Sequence, residues 1–216
     1  MPDWQQRSIE RSLKNVRVRV QDRHDRFVAA AIDLLSERDE SDFTIQDVVE
    51  RSAMSLGTFY SYFDGKVSLM LAVYETILRR TAMPLLRERC DREKDPVLRT
   101  KALLYGMVEL ASVPSRLSRA LSVFHLRLAE TRPDDLRQAL EPLHLFIVEL
   151  LTEVAAAERL RDDVGLDTQA ALLQELLLST THFTVLAGLP HTSADDLWTF
   201  CSSAILSPPR KRRGGA

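Results

Sequence analysis

Residues 44–66 read TIQDVVERSAMSLGTFYSYFDGK and predict two short helices joined by a tight turn. Each helix has a hydroxyl residue in the N-cap position, Thr44 for the first and Ser55 for the second. Apolar residues recur at helical spacing on one side of the pair: Ile45, Val48, Val49, Phe59 and Phe63. Since the second helix carries polar groups on its outer side, the pair has the arrangement that fits a DNA major groove.

An amphipathic helix is predicted just before this pair, from about Asp22 to a polar turn at residues 38–42. Its apolar residues fall at i, i+3, i+4, i+7 and i+8: Phe27, Ala30, Ala31, Leu34 and Leu35. Residues 1–21 have no usable apolar face and hold five basic against two acidic residues, so they predict a mobile basic arm. The arm either follows the DNA backbone or minor groove, or stays solvated without contact.

The rest of the chain predicts a helical bundle. A long helix runs from Lys66 toward Asp91 with a kink at Pro84, and three prolines precede Leu-rich runs, as expected for the first turn of a helix. The later helices are predicted at 96–112, 115–130, 133–160 (with a bend at Pro142), 167–188 and 193–206.

Composition limits the classes of protein. Among 216 residues the net charge is -2, so a nucleic-acid surface must be local, and 45% hydrophobic residues suit a soluble globular chain. Cys90 and Cys201 lie far apart without ligand spacing, so neither a disulfide framework, a metal site nor a cofactor is predicted. No catalytic constellation is visible, so an enzyme is not expected. Polar residues interrupt the most apolar stretch, 172–189, so a cytoplasmic protein without a membrane span is expected.

The string Ser55-x-Gly57-Thr58-Phe59-Tyr60-x-Tyr62-Phe63-x-x-Lys66-x-x-Leu69, after a helix with an F-x-x-A-A-x-x-L-L face, resembles the TetR family of bacterial regulators. The resemblance covers about residues 22–75. It implies an all-α protein, with a three-helix DNA-binding head on a bundle that dimerises and binds a small inducer. The expected organisation is a basic arm at 1–21, the head at 22–66, the bundle at 67–206 and a disordered basic tail at 207–216.

The outer side of the head supplies the predicted DNA contacts. Tyrosine and threonine hydroxyls, helix N-terminal amides and Lys66 suit phosphate oxygens, whereas Gln46, Leu56 and Ser61 suit base edges or thymine methyl groups. Gly57 leaves room where the helix nears the duplex. The full predicted set is Thr44, Gln46, Ser55, Leu56, Gly57, Thr58, Tyr60, Ser61, Tyr62 and Lys66.

The resemblance assigns DNA contacts to six of these positions: Gln46, Leu56, Thr58, Tyr60, Tyr62 and Lys66. The chain departs from the family pattern with Ala53 at a turn glycine, Val67 after the lysine and a polar stretch at 38–40. For one of the two tyrosines, packing between helices is as good an interpretation as DNA contact.

The protein is expected to bind double-stranded DNA through the head. The bundle is expected to pair with the bundle of a second copy, so that the two heads read a palindrome. The predicted dimer residues are Leu173, Leu177, Phe183, Leu197, Trp198 and Phe200. Polar groups on apolar faces predict a pocket for a largely apolar effector: Tyr105, Met107, Phe124, His125, His144, Thr180, Thr181, His182 and Thr184. Effector binding would shift helix 66–91 and change the spacing of the recognition helices.

The alternative function is a helical scaffold for protein interactions without DNA binding. Burial of the Tyr60 and Lys66 side chains would favour it.

Overall fold

The computed structural model describes residues 3–38, 43–112, 115–188 and 193–207. Within these residues the regular structure is helical, apart from a single bridge between Leu160 and Leu206, so the all-α prediction is confirmed. The chain divides into two compact units, Met1–Thr76 and Ile77–Ala216. The helices are α1 (Asp3–Glu37), α2 (Ile45–Ser52), α3 (Leu56–Tyr60), α4 (Lys66–Ile77), a π-helical turn (Leu78–Ala82), α5 (Met83–Asp91), α6 (Pro96–Ala111), α7 (Arg116–Thr131), α8 (Pro133–Ala156), α9 (Leu166–Ala187) and α10 (Ala194–Ile205).

The first helix is longer than predicted. It begins at Asp3 rather than near Asp22, so the basic segment at 1–21 is helical from residue 3 onward and not an irregular arm. The predicted apolar stripe is confirmed, since Phe27, Ala30, Ala31, Leu34 and Leu35 are all buried.

Aromatic rings form the core of the first unit. The Phe27 ring of α1 lies 5.5 Å from the Phe59 ring and 6.0 Å from the Phe63 ring, centroid to centroid, in edge-to-face contacts. Such contacts add stabilisation beyond the area that they bury. The predicted inner positions of Phe59 and Phe63 are therefore confirmed, although Phe63 lies beyond the end of α3.

Side-chain caps define the two short helices. The Thr44 hydroxyl accepts a hydrogen bond from the Asp47 N–H, and the Asp47 carboxylate accepts one from the Thr44 N–H, which makes a capping box. The Ser55 hydroxyl accepts from the Thr58 N–H at the start of α3. Both predicted caps are confirmed. Ala53 ends α2 in the left-handed region, with φ of 54°, where a glycine is the usual residue.

Residues 66–91 are helical throughout, as predicted, but the irregularity is a π-helical turn rather than a simple proline kink. The turn occupies Leu78–Ala82, and Pro84 stands in the first turn of α5. The unit boundary after Thr76 falls inside this stretch, later than the predicted division after Lys66.

The second unit has its own core, formed by one face of each helix from α5 to α10 except α7. Pro96 and Pro133 occupy first-turn positions as predicted, and α8 continues through Pro142 to Ala156. Pro114 and the predicted tail from residue 208 lie outside the described residues. Gly106 permits close packing in this core, because a Cβ atom there would stand 2.7 Å from Leu86 Cδ2.

Helix α9 is unusual in its apolar surface. By length and composition alone it could cross a membrane, with mean hydropathy 1.2 over 18 residues, but Ala170, Leu173 and Leu177 are part of the core of the second unit. Only 17% of that window is buried, so much of its apolar surface remains accessible.

Candidate nucleic-acid interface and ligand cavity

The outer side of α3 is accessible. Leu56 is 43% exposed and Tyr60 is 55% exposed, and Gly57 is exposed between them. A Cβ atom at Gly57 would meet only the Ser55 hydroxyl oxygen, at 4.0 Å, so packing within the chain does not require a glycine there. An apolar residue, a glycine and a phenol hydroxyl therefore stand together on an open helix surface.

The two tyrosines differ in their surroundings. Tyr60 contacts the Phe59 ring edge-on, with centroids 5.4 Å apart, and keeps most of its surface free. Tyr62 is half-buried, and its ring lies 6.2 Å from the Phe27 ring of α1. Tyr62 is thus the one of the pair that packs between helices, and Tyr60 has the surface that a partner can reach.

Lys66 has a structural contact that the sequence did not indicate. Its ammonium group donates a hydrogen bond to the Phe43 carbonyl at 2.7 Å and lies 3.9 Å from the centre of the Phe43 ring. Because Phe43 directly precedes the Thr44 cap, the lysine fixes the start of α2. The Lys66 side chain is half-buried. Any contact with a DNA phosphate must therefore be made in addition to its contact with Phe43.

The polar candidates also have partners within the head. The Ser55 and Thr58 hydroxyls lie 2.8 Å apart, the Ser61 hydroxyl donates to the Thr58 carbonyl, and the Gln46 amide donates to Glu50. These contacts are solvent-exposed and hold the side chains in place at the surface. Thr44 contacts Asp47 instead, and its hydrogen bonds lower the pKa of that carboxyl.

One ion pair and one hydrogen bond to a backbone carbonyl brace the helix-turn-helix against α1. The Arg51 guanidinium donates to both carboxylate oxygens of Glu37, at 2.9 and 2.8 Å, and the pKa of Glu37 is lowered chiefly by this hydrogen bond. Arg26 donates to the Ser52 carbonyl near the end of α2. These arginines were missed as functional groups because their partners are distant in sequence.

A cavity of about 1200 Å³ lies in the second unit among α7, α8 and α9. Three of the predicted ligand residues line it, one from each helix: His125, His144 and His182. Much of the remaining wall is apolar: Leu126, Ala129, Pro133, Leu136, Leu140, Leu145, Leu178, Phe183, Leu186 and Ala187. The volume is somewhat above the range of about 300–1,000 Å³ that is usual for ligand pockets.

The other six predicted ligand residues do not line this cavity. Phe124 is fully buried, and the Tyr105 hydroxyl donates to the Asp195 carboxylate elsewhere in the unit. Thr180 and Thr181 donate to carbonyls one turn earlier in α9, which is the ordinary use of a helical threonine. Met107 and Thr184 line a small gap together with those threonines. These residues were predicted from polarity on apolar faces, which does not show where the faces meet.

Two of the three histidines in the cavity wall, His125 and His182, pack against each other and have a lowered pKa. The rings of His125 and His182 have centroids 4.3 Å apart. Burial, and secondarily the neighbouring His182, lowers the pKa of His125 to about 4, and burial lowers the pKa of His182 as well. His144 is joined to Gln174 across α8 and α9, with Nδ1 3.1 Å from the amide oxygen. A neutral imidazole offers one donor and one acceptor but no positive charge.

The charged groups of the cavity wall were also missed by the sequence analysis. They are Asp134, Arg137, Glu141 and Glu175. Arg137 donates to Asp134 at 2.6 Å, whereas the other two carboxylates are exposed and have no ion pair within the described residues. Helical spacing from His144 could have indicated Glu141, which stands one turn earlier on α8.

Comparison with known proteins identifies the head. The sequence model described as bacterial regulatory proteins, tetR family, matches residues 27–73. Residues 27–73 therefore carry a DNA-binding head of the TetR type. An uncharacterised HTH-type transcriptional regulator of Bacillus subtilis, YvdT, is 34% identical over 59 residues, which are 27% of this chain and 30% of YvdT. The regulator EthR of Mycobacterium tuberculosis is 29% identical over 98 residues, 44% of this chain and 45% of EthR.

The chain therefore spans less than half the length of the curated TetR-type relatives that it matches. Among solved structures, the TetR-family repressor FadR of Thermus thermophilus, in complex with lauroyl-CoA, is similar with a TM-score of 0.69 and 20% identity. The match covers 89% of this chain and all of that one. The TetR fold thus extends over both units, and these relatives are regulators rather than enzymes.

The prediction of the TetR-type dimer surface needs correction. Leu173, Leu177 and Leu197 are at most 4% exposed and lie in the core of their own unit, so they are not available to a second copy. Phe183 and Phe200 are 60% and 64% exposed, and Trp198 is half-buried. Leu172, 58% exposed on α9, was missed. A helix that is apolar all round does not reveal from its sequence which face packs internally.

Proposed function

We propose that this chain is a transcriptional repressor that reads a palindromic operator as a homodimer and is released by a small, largely apolar effector. The observation that carries the DNA-binding part is the open surface of α3, where Leu56, Gly57 and Tyr60 are exposed on a head that matches the TetR family. Such a helix enters the major groove with its N-terminal residues at the base edges. A protein with this activity acts on DNA in the cytoplasm of a bacterial cell.

The dimer is supported by the apolar side chains that the second unit leaves exposed on α9 and α10. Leu172, Phe183 and Phe200 are each more than half exposed, and exposed apolar surface of this size is typical of interaction sites. One helix-turn-helix covers only a half-site, so pairing is needed for tight and specific binding. Light scattering coupled to size exclusion should give twice the chain mass of 24.5 kDa at micromolar concentration.

Effector control is supported by the cavity among α7, α8 and α9. Its mainly apolar wall and its volume of about 1200 Å³ suit an apolar molecule of drug or lipid size. The solved structure of the similar repressor FadR of Thermus thermophilus is a complex with lauroyl-CoA, a molecule with a long apolar chain. Release requires that the effector bind more tightly to the state that cannot hold DNA.

The link between effector and DNA is proposed to be residues 66–91. They are helical throughout and cross the unit boundary, so a change at one end is transmitted along a continuous backbone. The π-helical turn at Leu78–Ala82 is the irregular point in this stretch.

The basic N-terminal part of α1 is proposed to add contacts to the DNA backbone. It holds five basic and two acidic residues in the first 21, and Arg17, Arg19 and Arg23 are exposed. Removal of residues 1–21 should weaken binding and lower the slope of affinity against salt. Unchanged affinity across a salt series would contradict this role.

The scaffold alternative was expected to bury both Tyr60 and Lys66. Tyr60 is exposed, which does not support this alternative, whereas Lys66 is half-buried against Phe43. The deciding experiment is selection of bound duplexes from a random DNA library, followed by salt titration of the selected sequence. A palindromic site with a steep salt dependence is expected. Leu56→Ala and Gln46→Ala should relax the selected sequence, whereas Leu85→Ala, at an exposed residue of the second unit, should not. No enrichment by ligand-stripped protein would overturn the proposal.

A further inference from the structure

We infer that the cavity among α7, α8 and α9 selects an amphiphilic organic cation and rejects carboxylates of the same length. The inference deepens the proposed effector binding and rests on it for the step of operator release. It concerns the charge of the ligand's head group, which the apolar residues of the wall do not determine.

An anionic head group would find no suitable partner in this wall. Arg137 is the single cationic residue in the described lining, and its guanidinium is already 2.6 Å from Asp134. The Arg137 side chain is 77% exposed, so an ion pair between it and a ligand carboxylate would be screened by solvent and would contribute little to affinity.

His125 and His182 do not replace that missing charge. His125 is 8% exposed, and its ring and that of His182 are within stacking distance, so protonation of either would place a charge in a buried pair. Both are held neutral by burial, as described above. They can hydrogen-bond to a ligand, but they cannot neutralise an anion at pH 7.

A cationic head group, in contrast, meets two carboxylates. Glu141 lies one turn before His144 on α8, and Glu175 follows Gln174 on α9. The His144 and Gln174 side chains contact each other across α8 and α9, and each carboxylate lies within one helical turn of that contact in the sequence. Both line the cavity and are without an ion pair in the described part of the chain.

The geometry thus pairs a large apolar volume with a negative edge. An alkyl or aromatic body fills the volume, and an ammonium group at its end lies against Glu141 and Glu175. Each such contact at a partly exposed site contributes modestly, so the two together are expected to change affinity by about five-fold.

The test uses three probes with the same ten-carbon chain: decyltrimethylammonium, 1-decanol and decanoate, each below its micellar concentration. Isothermal titration calorimetry on the full chain without DNA should rank the cation first and decanoate last. The separation of the two ions should be about twenty-fold, since attraction of one and repulsion of the other both contribute. The double variant Glu141→Gln/Glu175→Gln should lower the affinity for the cation about five-fold and raise that for decanoate.

A matched control removes two exposed carboxylates outside the lining, Glu130→Gln/Asp162→Asn, and should leave the ranking and the affinities unchanged. Circular dichroism shows whether each variant is folded, and the ranking on the unaltered chain does not depend on any variant. Equal or tighter binding of decanoate, or no binding of either ionic probe at millimolar concentration, would overturn the inference.

Release of the selected operator duplex, followed by fluorescence anisotropy, separates the two proposals. If the cation ranks first but leaves the DNA bound, the cavity inference stands and the effector role fails. If decanoate ranks first and releases the DNA, the effector role stands and the inference fails.

Discussion

Replacement of Gly57 by alanine should strengthen the fold and weaken DNA binding. Gly57 is the second residue of α3 and is exposed, and a Cβ atom there would meet only the Ser55 hydroxyl oxygen at 4.0 Å. Nothing inside the described head therefore resists a methyl group. Glycine lowers helix stability relative to alanine, and no contact within the described head requires it. Close approach of α3 to a DNA duplex would explain why a glycine stands there.

The two magnitudes have opposite signs. Alanine is favoured over glycine by about 1 kcal/mol inside a helix, and about half of that is expected in the first turn of a helix of five residues. At the interface the added methyl group overfills a contact, which costs about 1–3 kcal/mol. The lower half of that range corresponds to a loss of affinity of about ten-fold.

Urea unfolding gives the first number, and fluorescence anisotropy with the selected duplex at fixed salt gives the second. Gly65→Ala is the matched control, because a Cβ atom at Gly65 also meets nothing within 4 Å but stands outside α3. It should leave DNA affinity unchanged. If Gly57→Ala binds as tightly as the unaltered chain, the start of α3 is not near the duplex and the assignment of the surface is wrong.

Four further substitutions test the fold and the cavity. Ala53→Gly should raise stability by about 0.5 kcal/mol in urea unfolding, since a left-handed alanine is strained at φ of 54°; a lower midpoint would contradict this. Gly106→Ala should lower it by about 1–2 kcal/mol, because a Cβ atom would lie 2.7 Å from Leu86 Cδ2, and a neutral result would show that Leu86 yields freely. Lys66→Met should cost about 1 kcal/mol by removing the hydrogen bond to the Phe43 carbonyl, with an unchanged midpoint as the refuting result. His125 binds its proton less readily in the folded protein, where its pKa is about 4 against 6.5 in the unfolded chain. About 3 kcal/mol of folding stability is therefore present above pH 6.5 and is lost as the pH falls toward 4. His125→Gln should flatten this part of the plot of stability against pH, and an unchanged slope would refute the assignment.

The head was the more predictable part because its determinants are local. Thr44 and Ser55 cap helices through residues three positions later, and the stripe from Phe27 to Leu35 follows a single period. Such contacts can be seen in a short window of sequence. The contact of Lys66 with Phe43 joins residues 23 positions apart, so no periodic pattern in the sequence predicts it.

The start of α1 was not predictable for a related reason. Residues 3–21 lack an apolar stripe, which is the signal for a helix that packs against a core. Their helix extends from the packed turns around Phe27, and propagation adds one hydrogen bond per residue without a new nucleation step. A polar helix of this kind is indistinguishable from an arm by periodicity alone.

The cavity was predicted only in part, since three of nine candidate residues line it. The three histidines come from three different helices, α7, α8 and α9, and the sequence does not show how those helices pack. Polar residues on apolar faces were the right signal for them. The same signal also selected Thr180 and Thr181, whose hydroxyls are satisfied within their own helix.

The π-helical turn shows why a proline in a helix does not always produce a kink at its own position. Pro84 has no N–H and its ring crowds the carbonyl one turn earlier, at Arg80, which lies inside the turn Leu78–Ala82. The Met83 N–H donates to the Leu78 carbonyl, five residues back, so the widened turn supplies a partner where the α-helical pattern is interrupted. A helix interrupted at this point has a weaker hydrogen-bond ladder than its neighbours α4 and α5. In the proposed mechanism that weakness has a use, because two helix segments joined by such a turn can change register at lower cost than a continuous α-helix.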